Sequence, residues 1–289
     1  MGLRFDRSLD APYGEAVRLS PRTQRLLAPN PGPFTFKGTG VYIVGAGEQV
    51  AVIDPGPDLP GHVAALKDAL NGRKVSHILV THTHRDHSPA AAALRQWSGA
   101  RTYAAGPHGG AAGDVEEGAD RDFVPDILVR DGEALIGDGF TFTCVATPGH
   151  TANHMCYALA EEGALFCGDH VMGWSTSVVA PPDGDMAAYL ASLERLIARG
   201  DRILYPTHGS PVADPQTYLR ELLAHRRMRE AQILDAAHYG DAEAIAQKLY
   251  PDIAPALHRA AAAQVQAHLD HLAARGAITA LPGGCYAKA

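Results

Sequence analysis

The sequence predicts an α/β layered fold followed by a small helical unit. Three observations predict it. Short β-branched runs alternate with helical spacing through most of the chain. Polar clusters stand at the downstream ends of several of those runs, where layered α/β proteins collect their sites. From Asp214 onward, three helices and a terminal hairpin follow one another. The expected division is a domain over 1–213 and a smaller one over 214–289.

Size and composition fit this. The chain has 289 residues, 46% apolar and 20% charged, enough to bury a sizeable core. Its net charge of -7 argues against a nucleic-acid surface spread over the whole protein. The four cysteines, Cys144, Cys156, Cys167 and Cys285, include no CxxC pair. They read as free thiols rather than a disulfide framework or a cysteine zinc site. Met1 to Leu19 has no apolar signal core, and no run of eighteen apolar residues occurs. The expectation is a cytoplasmic protein, neither secreted nor membrane-spanning.

The elements follow in order. Residues 1–35 carry Pro21, Pro29 and Pro31-Gly32-Pro33 and predict irregular chain with one strand. Val41–Val44 and Val50–Ile53 are β-branched runs around a Gly45-Ala46-Gly47 turn. His62–Leu70 has helical spacing and stops at Asn71-Gly72. Val75–Val80 is a strand, and Ala90–Trp97 a helix stopped by Gly99. Gly106–Asp126 predicts a long polar loop whose charges form a solvated face. Ala134–Ile136 and Phe140–Val145 flank a Gly137-Asp138-Gly139 turn. Ala164–Cys167 is a strand, Met186–Arg199 a helix capped by Asp185, and Ile203–Tyr205 a short strand. After Asp214 and Pro215, helices are expected up to Gly240, over Ala242–Leu249, and from Pro255 to before Gly276. A small hairpin over Ile278–Ala287 ends the chain.

The chemistry gathers at Thr81-His82-Thr83-His84-Arg85-Asp86-His87-Ser88, directly after Ile78-Leu79-Val80. Imidazole and carboxylate suit zinc and similar metals. His82 and His84 are two apart, so extended chain projects them to one side. Three later strands end in His150, Asp169 and His208, each beside a glycine. Eight other histidines, His62, His77, His108, His225, His238, His258, His268 and His271, read as surface or satisfied core residues.

These motifs resemble the metallo-β-lactamase superfamily. The matching residues are His82-x-His84-x-Asp86-His87, His150 in Thr147-Pro148-Gly149-His150-Thr151, Asp169 in Gly168-Asp169, and His208 before Gly209. The resemblance implies an αββα sandwich with a binuclear site at one edge of its two sheets. It implies that His82, His84 and His150 hold one metal, that Asp86, His87 and His208 hold the other, and that Asp169 bridges them. Two zinc ions per chain are expected, although iron and manganese also occupy such sites. A metal-bridging hydroxide is the expected nucleophile, with Asp86 orienting it and moving its proton. Asp54 matches the family's carboxylate behind the ligands, or starts a turn before Pro55. His154 is a candidate for the same outer position or for the pocket, or an ordinary exposed histidine. In the loop from Trp174 to Val179, Trp174 and Thr176 are candidate pocket residues; Trp174 could equally fill the core.

Departures narrow the reading. One antibiotic-hydrolysing branch has cysteine where this chain has Asp169, and the flavo-diiron branch has glutamate where it has His84. Residues 225–289 and the stretch Gly168–Trp174 resemble the β-lactamase-like protein 2 group, whose tail is winged-helix-like. A eukaryotic member of that group is a single-strand endoribonuclease. From Asp214 to the end there are eight Lys/Arg and eight Asp/Glu, so the tail is neutral. Its only basic cluster, Arg226, Arg227 and Arg229, reads as a solvated helix face. DNA binding is therefore not expected, and the tail reads as a packing or pocket-wall element. Three functions stand: hydrolysis of a small ester, thioester or lactone; cleavage of phosphodiesters such as single-stranded RNA; and a metal-binding winged-helix regulator.

Overall fold

Two sheets face each other across the larger part of the protein, with helices on both outer sides. A computed structural model describes residues 3–109, 118–281 and 284–289. The first sheet holds β1 (Ala16–Arg18), β2 (Thr23–Leu27), β3 (Gly40–Val44) and β4 (Gln49–Ile53). After helix α1 (Pro60–Leu70) come β5 (Lys74–Leu79), helix α2 (Ala90–Ser98), β6 (Arg101–Ala104) and β7 (Ile127–Leu128). The seven strands lie in chain order. β1 to β4 pair antiparallel, and β4 to β7 pair parallel through their crossovers.

The second sheet holds β8 (Ala134–Gly137), β9 (Phe140–Ala146), β10 (Met155–Leu159) and β11 (Ala164–Gly168). Helix α3 (Met186–Arg199) then crosses to β12 (Ile203–Pro206), and the order is β12-β11-β10-β9-β8. The C-terminal region is α4 (Pro215–Ala236), α5 (Ala242–Leu249), α6 (His258–Ala274) and the hairpin β13 (Ile278–Ala280) with β14 (Tyr286–Lys288).

Side-chain alternation builds the layers. Tyr42, Val44, Ala51 and Ile53 of the first sheet meet Phe140, Phe142, Tyr157, Phe166 and Tyr205 of the second. Their neighbours point the other way: Val41, Ile43, Val50 and Val52 pack on Leu66, Leu70 and Leu94 of α1 and α2. On the far side, Cys156, Leu165 and Leu204 pack on Tyr189, Leu193 and Leu196 of α3. Leu219 and Leu222 of α4 join that same cluster, so the C-terminal region grows directly out of the outer helix layer. Its remaining helices close a separate core around Ile233, Ile245, Val265 and Leu269.

The elements depart from expectation in places. The N-terminal region contains two strands, not one. β10 was not expected; all five of its residues are buried, so the half-exposed alternation that marks a strand is missing. β6 and β7 are too short to signal themselves. The first C-terminal helix stops at Ala236 and tightens into a 3₁₀ turn to Tyr239. The third is 3₁₀ over Pro255–Leu257 before α6 begins. Part of the expected polar loop, residues 110–117, lies outside the described residues, as do 282 and 283 of the terminal turn. The described part of the loop is not simply a solvated face. Asp120 accepts from the Ser88 hydroxyl at 2.6 Å, and Asp126 accepts from Nε and Nη2 of Arg95 at 2.7 Å each. All four cysteines are free, three of them buried. Among the described residues no helix is long and apolar enough to cross a membrane.

Candidate metal centre

Four loops at one edge of the sandwich carry the predicted ligand residues. They follow β5, β9, β11 and β12, as strand ends in a layered fold allow. Glycines let two of them approach. Gly149 and Gly168, each just before a predicted ligand, hold φ of 137° and 51°. A side chain at Gly149 would strike the Tyr189 backbone at 2.3 Å, and one at Gly168 would strike His154 Nε2 at 2.6 Å.

The seven residues converge. Ligand-capable atoms of His82, His84 and His150 lie within 4.8 Å of one another, and so do those of Asp86, His87 and His208. A third such group, His82, His87 and Asp169, takes one histidine from each set. Six of the seven are buried and His84 is half-buried.

In four of the rings the nitrogen turned away from the centre has a protein partner. His150 Nδ1 donates to the Val178 carbonyl at 2.7 Å, and His208 Nδ1 to the Gly38 carbonyl at 3.1 Å. His87 Nδ1 donates to Asp54 at 3.0 Å. The Thr81 hydroxyl gives its proton to Asp54 at 2.7 Å, so it accepts from His82 Nδ1 at 3.0 Å. Each of those rings therefore points Nε2 inward, which is the tautomer control that metal-binding histidines need.

The inward atoms fit a cation. His82 Nε2 and His150 Nε2 both turn to His84 Nδ1, at 3.0 and 3.3 Å. A single N–H on His84 can point at only one of them. His87 Nε2 and Asp169 Oδ1 stand 3.5 Å apart, buried and without a hydrogen-bond partner among the described residues. A donor set of imidazoles and carboxylates in this arrangement suits zinc and similar divalent ions.

Electrostatics separates the two sets. Burial, with the neighbouring His150, pushes His84 down to about 3, and burial likewise lowers His82 and His150. These rings are neutral and offer lone pairs. Burial works against charge on His87 and His208 too, but there the carboxylates outweigh it. Asp86, Asp169 and Asp54 hold His87 well above the usual imidazole range, and Asp169 with Asp86 pushes His208 up to about 10. Conversely, burial would raise Asp86, yet His87 and His208 hold it far below the usual carboxylate range. The second set is built to stabilise positive charge.

Asp54, one of the open assignments, lies behind the centre. It is buried, in a left-handed conformation with φ of 47°. Besides His87 and the Thr81 hydroxyl, it accepts from Thr81 N at 2.7 Å and the Thr207 hydroxyl at 3.2 Å. His154 is buried, not an ordinary exposed histidine. Its ring lies 5.2 Å from that of His82, and its Nδ1 pairs with the Thr147 hydroxyl at 2.8 Å. Trp174 and Thr176 line a cavity of about 640 Å³ that Val178 also lines. The far wall belongs to the C-terminal region, with His225, Arg229 and Gln264.

Other contacts were not legible. Thr39 donates its hydroxyl to Asp86 at 3.0 Å, and Asn153 donates to the Thr83 hydroxyl at 3.0 Å. The Val178 and Gly38 carbonyls carry no side-chain signal at all. Of the histidines set aside, His62 is a core residue bonded to the Pro55 carbonyl at 2.8 Å. The basic cluster needs a correction: Arg226 is not on a solvated face. It is wholly buried, donates to the Ser177 carbonyl, and lies over the Tyr189 ring at 4.8 Å.

Comparison with known proteins agrees with this fold. The family described as the metallo-beta-lactamase superfamily matches residues 35–208, more than half of the chain. The chain belongs to the metallo-β-lactamase superfamily. A beta-lactamase associated winged helix domain matches residues 242–283. A metallo-beta-lactamase family protein from Thermus thermophilus has a similar structure, with a TM-score of 0.76 and 28% identity. That similarity covers 94% of this chain and 100% of the other. The lactamase-like protein nscB of Neosartorya fischeri is 36% identical over 75% of this chain but only 62% of its own length. The chain thus spans less than two thirds of that relative. An atrochrysone carboxyl ACP thioesterase of Aspergillus chevalieri is 36% identical over 78% of this chain and 68% of its own.

Proposed function

We propose that the protein is a binuclear zinc hydrolase acting on thioesters of small acyl groups, including acyl groups held on a carrier protein. The observation that carries this is the pairing of a neutral histidine trio with a carboxylate-bearing trio around Asp169. The thioesterases among its relatives favour a thioester over a simple ester or lactone. In this reading His82, His84 and His150 would hold one ion and Asp86, His87 and His208 the other, with Asp169 available to either. Zinc at such a site polarises a carbonyl oxygen and lowers the pKa of bound water to about 7. Asp86 is held by Thr39 and His208, at 3.0 and 3.1 Å, so its carboxylate is a fixed acceptor for the proton of an attacking water. Asp54 fixes His87, and His154 fills the space behind His82. The division between catalytic and C-terminal domains falls between 213 and 214, with α4 packed on both.

The test is a panel of acyl-N-acetylcysteamine thioesters, p-nitrophenyl esters, lactones and single-stranded RNA on zinc-loaded protein. Thioesters are expected to give the highest kcat/KM, with two zinc ions per chain by elemental analysis. Asp86→Ala is expected to lower kcat roughly 10²- to 10⁴-fold. Cleavage of RNA with thioesters left intact would move the activity to phosphodiesters and sink this proposal.

A further inference from the structure

The cavity beside the centre has an unusual charge content. The chain carries 32 Asp and Glu against 25 Lys and Arg. Yet among the described residues those lining this cavity include Arg7 and Arg229 and not one carboxylate. Arg229 lies with its guanidinium 5.0 Å over the Tyr250 ring and donates to Gln232 at 2.8 Å; no carboxylate pairs with it among the described residues. Behind the same wall, Arg226 is buried against the Ser177 carbonyl. Aromatic rings line the same cavity. Phe36 and Trp174 stack with centroids 4.8 Å apart and planes 10° from parallel. Phe36 adopts a φ of 57° there, a left-handed conformation that bulky residues avoid. The cavity adjoins the centre through Val178, which lines it and whose carbonyl holds His150.

We infer that this chamber receives an anion-bearing, flat portion of the substrate, lying along Phe36 and Trp174 with its charge at Arg229. The inference rests on the thioesterase reading for its substrate and deepens it. A volume of about 640 Å³ holds one small-molecule portion, not several stacked nucleotides. A buried or half-buried cation without a carboxylate gains most from an anionic partner brought by a ligand. The field is visible in a neighbour: burial first, then Arg226 and Arg229, pushes His225 down to about 4. The anion has two sources in a thioester, a carboxylate on the acyl group or the phosphate of the carrier arm.

Three substrates separate the sources on zinc-loaded full-length protein. They are benzoyl-N-acetylcysteamine, 4-carboxybenzoyl-N-acetylcysteamine and benzoyl-phosphopantetheine. One anionic substrate is expected to exceed the neutral one in kcat/KM by about tenfold, and Arg229→Glu to abolish that ratio. An advantage for the carboxybenzoyl substrate puts the anion on the acyl group; an advantage for phosphopantetheine puts it on the arm. Equal values on all three, or a ratio that survives Arg229→Glu, overturns the inference. Turnover of none defeats the thioester reading alone, because binding reads the chamber separately. In a Trp97→Phe background, Trp174 quenching by 2-naphthoate is compared with that by 2-naphthalenemethanol. A roughly tenfold weaker naphthoate Kd in Arg229→Glu, repeated in Arg229→Gln, upholds the chamber. An unchanged Kd overturns it, as does tighter binding of a single-stranded RNA oligonucleotide at the same residues.

Discussion

Two groups of buried histidines among the described residues differ in kind, and one of them resembles a metal centre. At the sandwich edge, five rings share space with Asp54, Asp86 and Asp169, and His87 and His208 are held charged-ready by those carboxylates. On the far side of the loop after β11, His170 and His268 are equally buried, but their neighbour is Arg226. Neither ring of that pair has a hydrogen-bond partner among the described residues. Glu230 comes no closer than 3.9 Å to His268 and is shared with His271 and Arg275. His170 is pushed down to about 3 by burial, then by His150 and Arg226. Burial alone makes imidazole neutral; it takes adjacent carboxylates to make a cluster that welcomes a cation. His170 follows Asp169 directly in the sequence, yet the two belong to opposite kinds of site.

Removing a carboxylate should break the contrast most. Asp54 touches no substrate in the proposed chemistry, but it is the acceptor for His87, Thr81 and Thr207. Asp54→Ala leaves those donors buried and unmatched. Urea unfolding of the metal-free protein is expected to show a loss of about 3–5 kcal/mol. Zinc affinity, from chelator competition, should fall about 10- to 100-fold as His87 loses its orientation. Wild-type zinc affinity in this variant would mean that Asp54 is only a turn residue.

The second cluster is tested at Arg226. Its guanidinium fixes the Ser177 carbonyl, one residue before the carbonyl that holds His150. Arg226→Met keeps bulk and removes the donor. Loss of this buried charged donor should cost about 1–3 kcal/mol in urea unfolding. Zinc affinity should fall less than in Asp54→Ala, because His150 keeps its own acceptor. A larger loss of zinc affinity than of stability would show that the two clusters act as one.

This contrast explains what could be read from the chain alone. His82, His84, Asp86 and His87 announce themselves because one loop carries four polar residues after an apolar strand. His150, Asp169 and His208 are legible through their glycines, which the crowded turns require. Asp54 and Trp174 remained ambiguous because a turn starter and a buried carboxylate look alike until Thr81 and Thr207 are in place. Arg226 was misread for a physical reason. It sits one residue from the exposed Arg227 on the same helix, and only α3 and α6 decide which of them is covered. β10 was invisible because burial on both faces erases the period-two signal. Carbonyl partners such as Val178 leave no mark in a sequence at all.

The smallest effect concerns His225, at the edge of the second cluster and in the wall of the chamber. Burial, with Arg226 and Arg229, moves it from 6.5 down to about 4 in the folded protein. In the unfolded chain it protonates near its ordinary value. Between those two values the unfolded chain therefore takes up a proton that the folded chain refuses. The contribution of neutral His225 is complete above pH 6.5 and is lost as pH falls toward 4. Carboxylates titrate over part of the same range, so the informative quantity is a difference between variants. Melting temperature is expected to fall less steeply over this window in His225→Gln than in the wild type. Arg229→Gln removes one of the cations responsible and should also flatten the slope, by less than His225→Gln does. Parallel slopes in all three proteins would show that the positive field at this wall is too weak to read a substrate's charge.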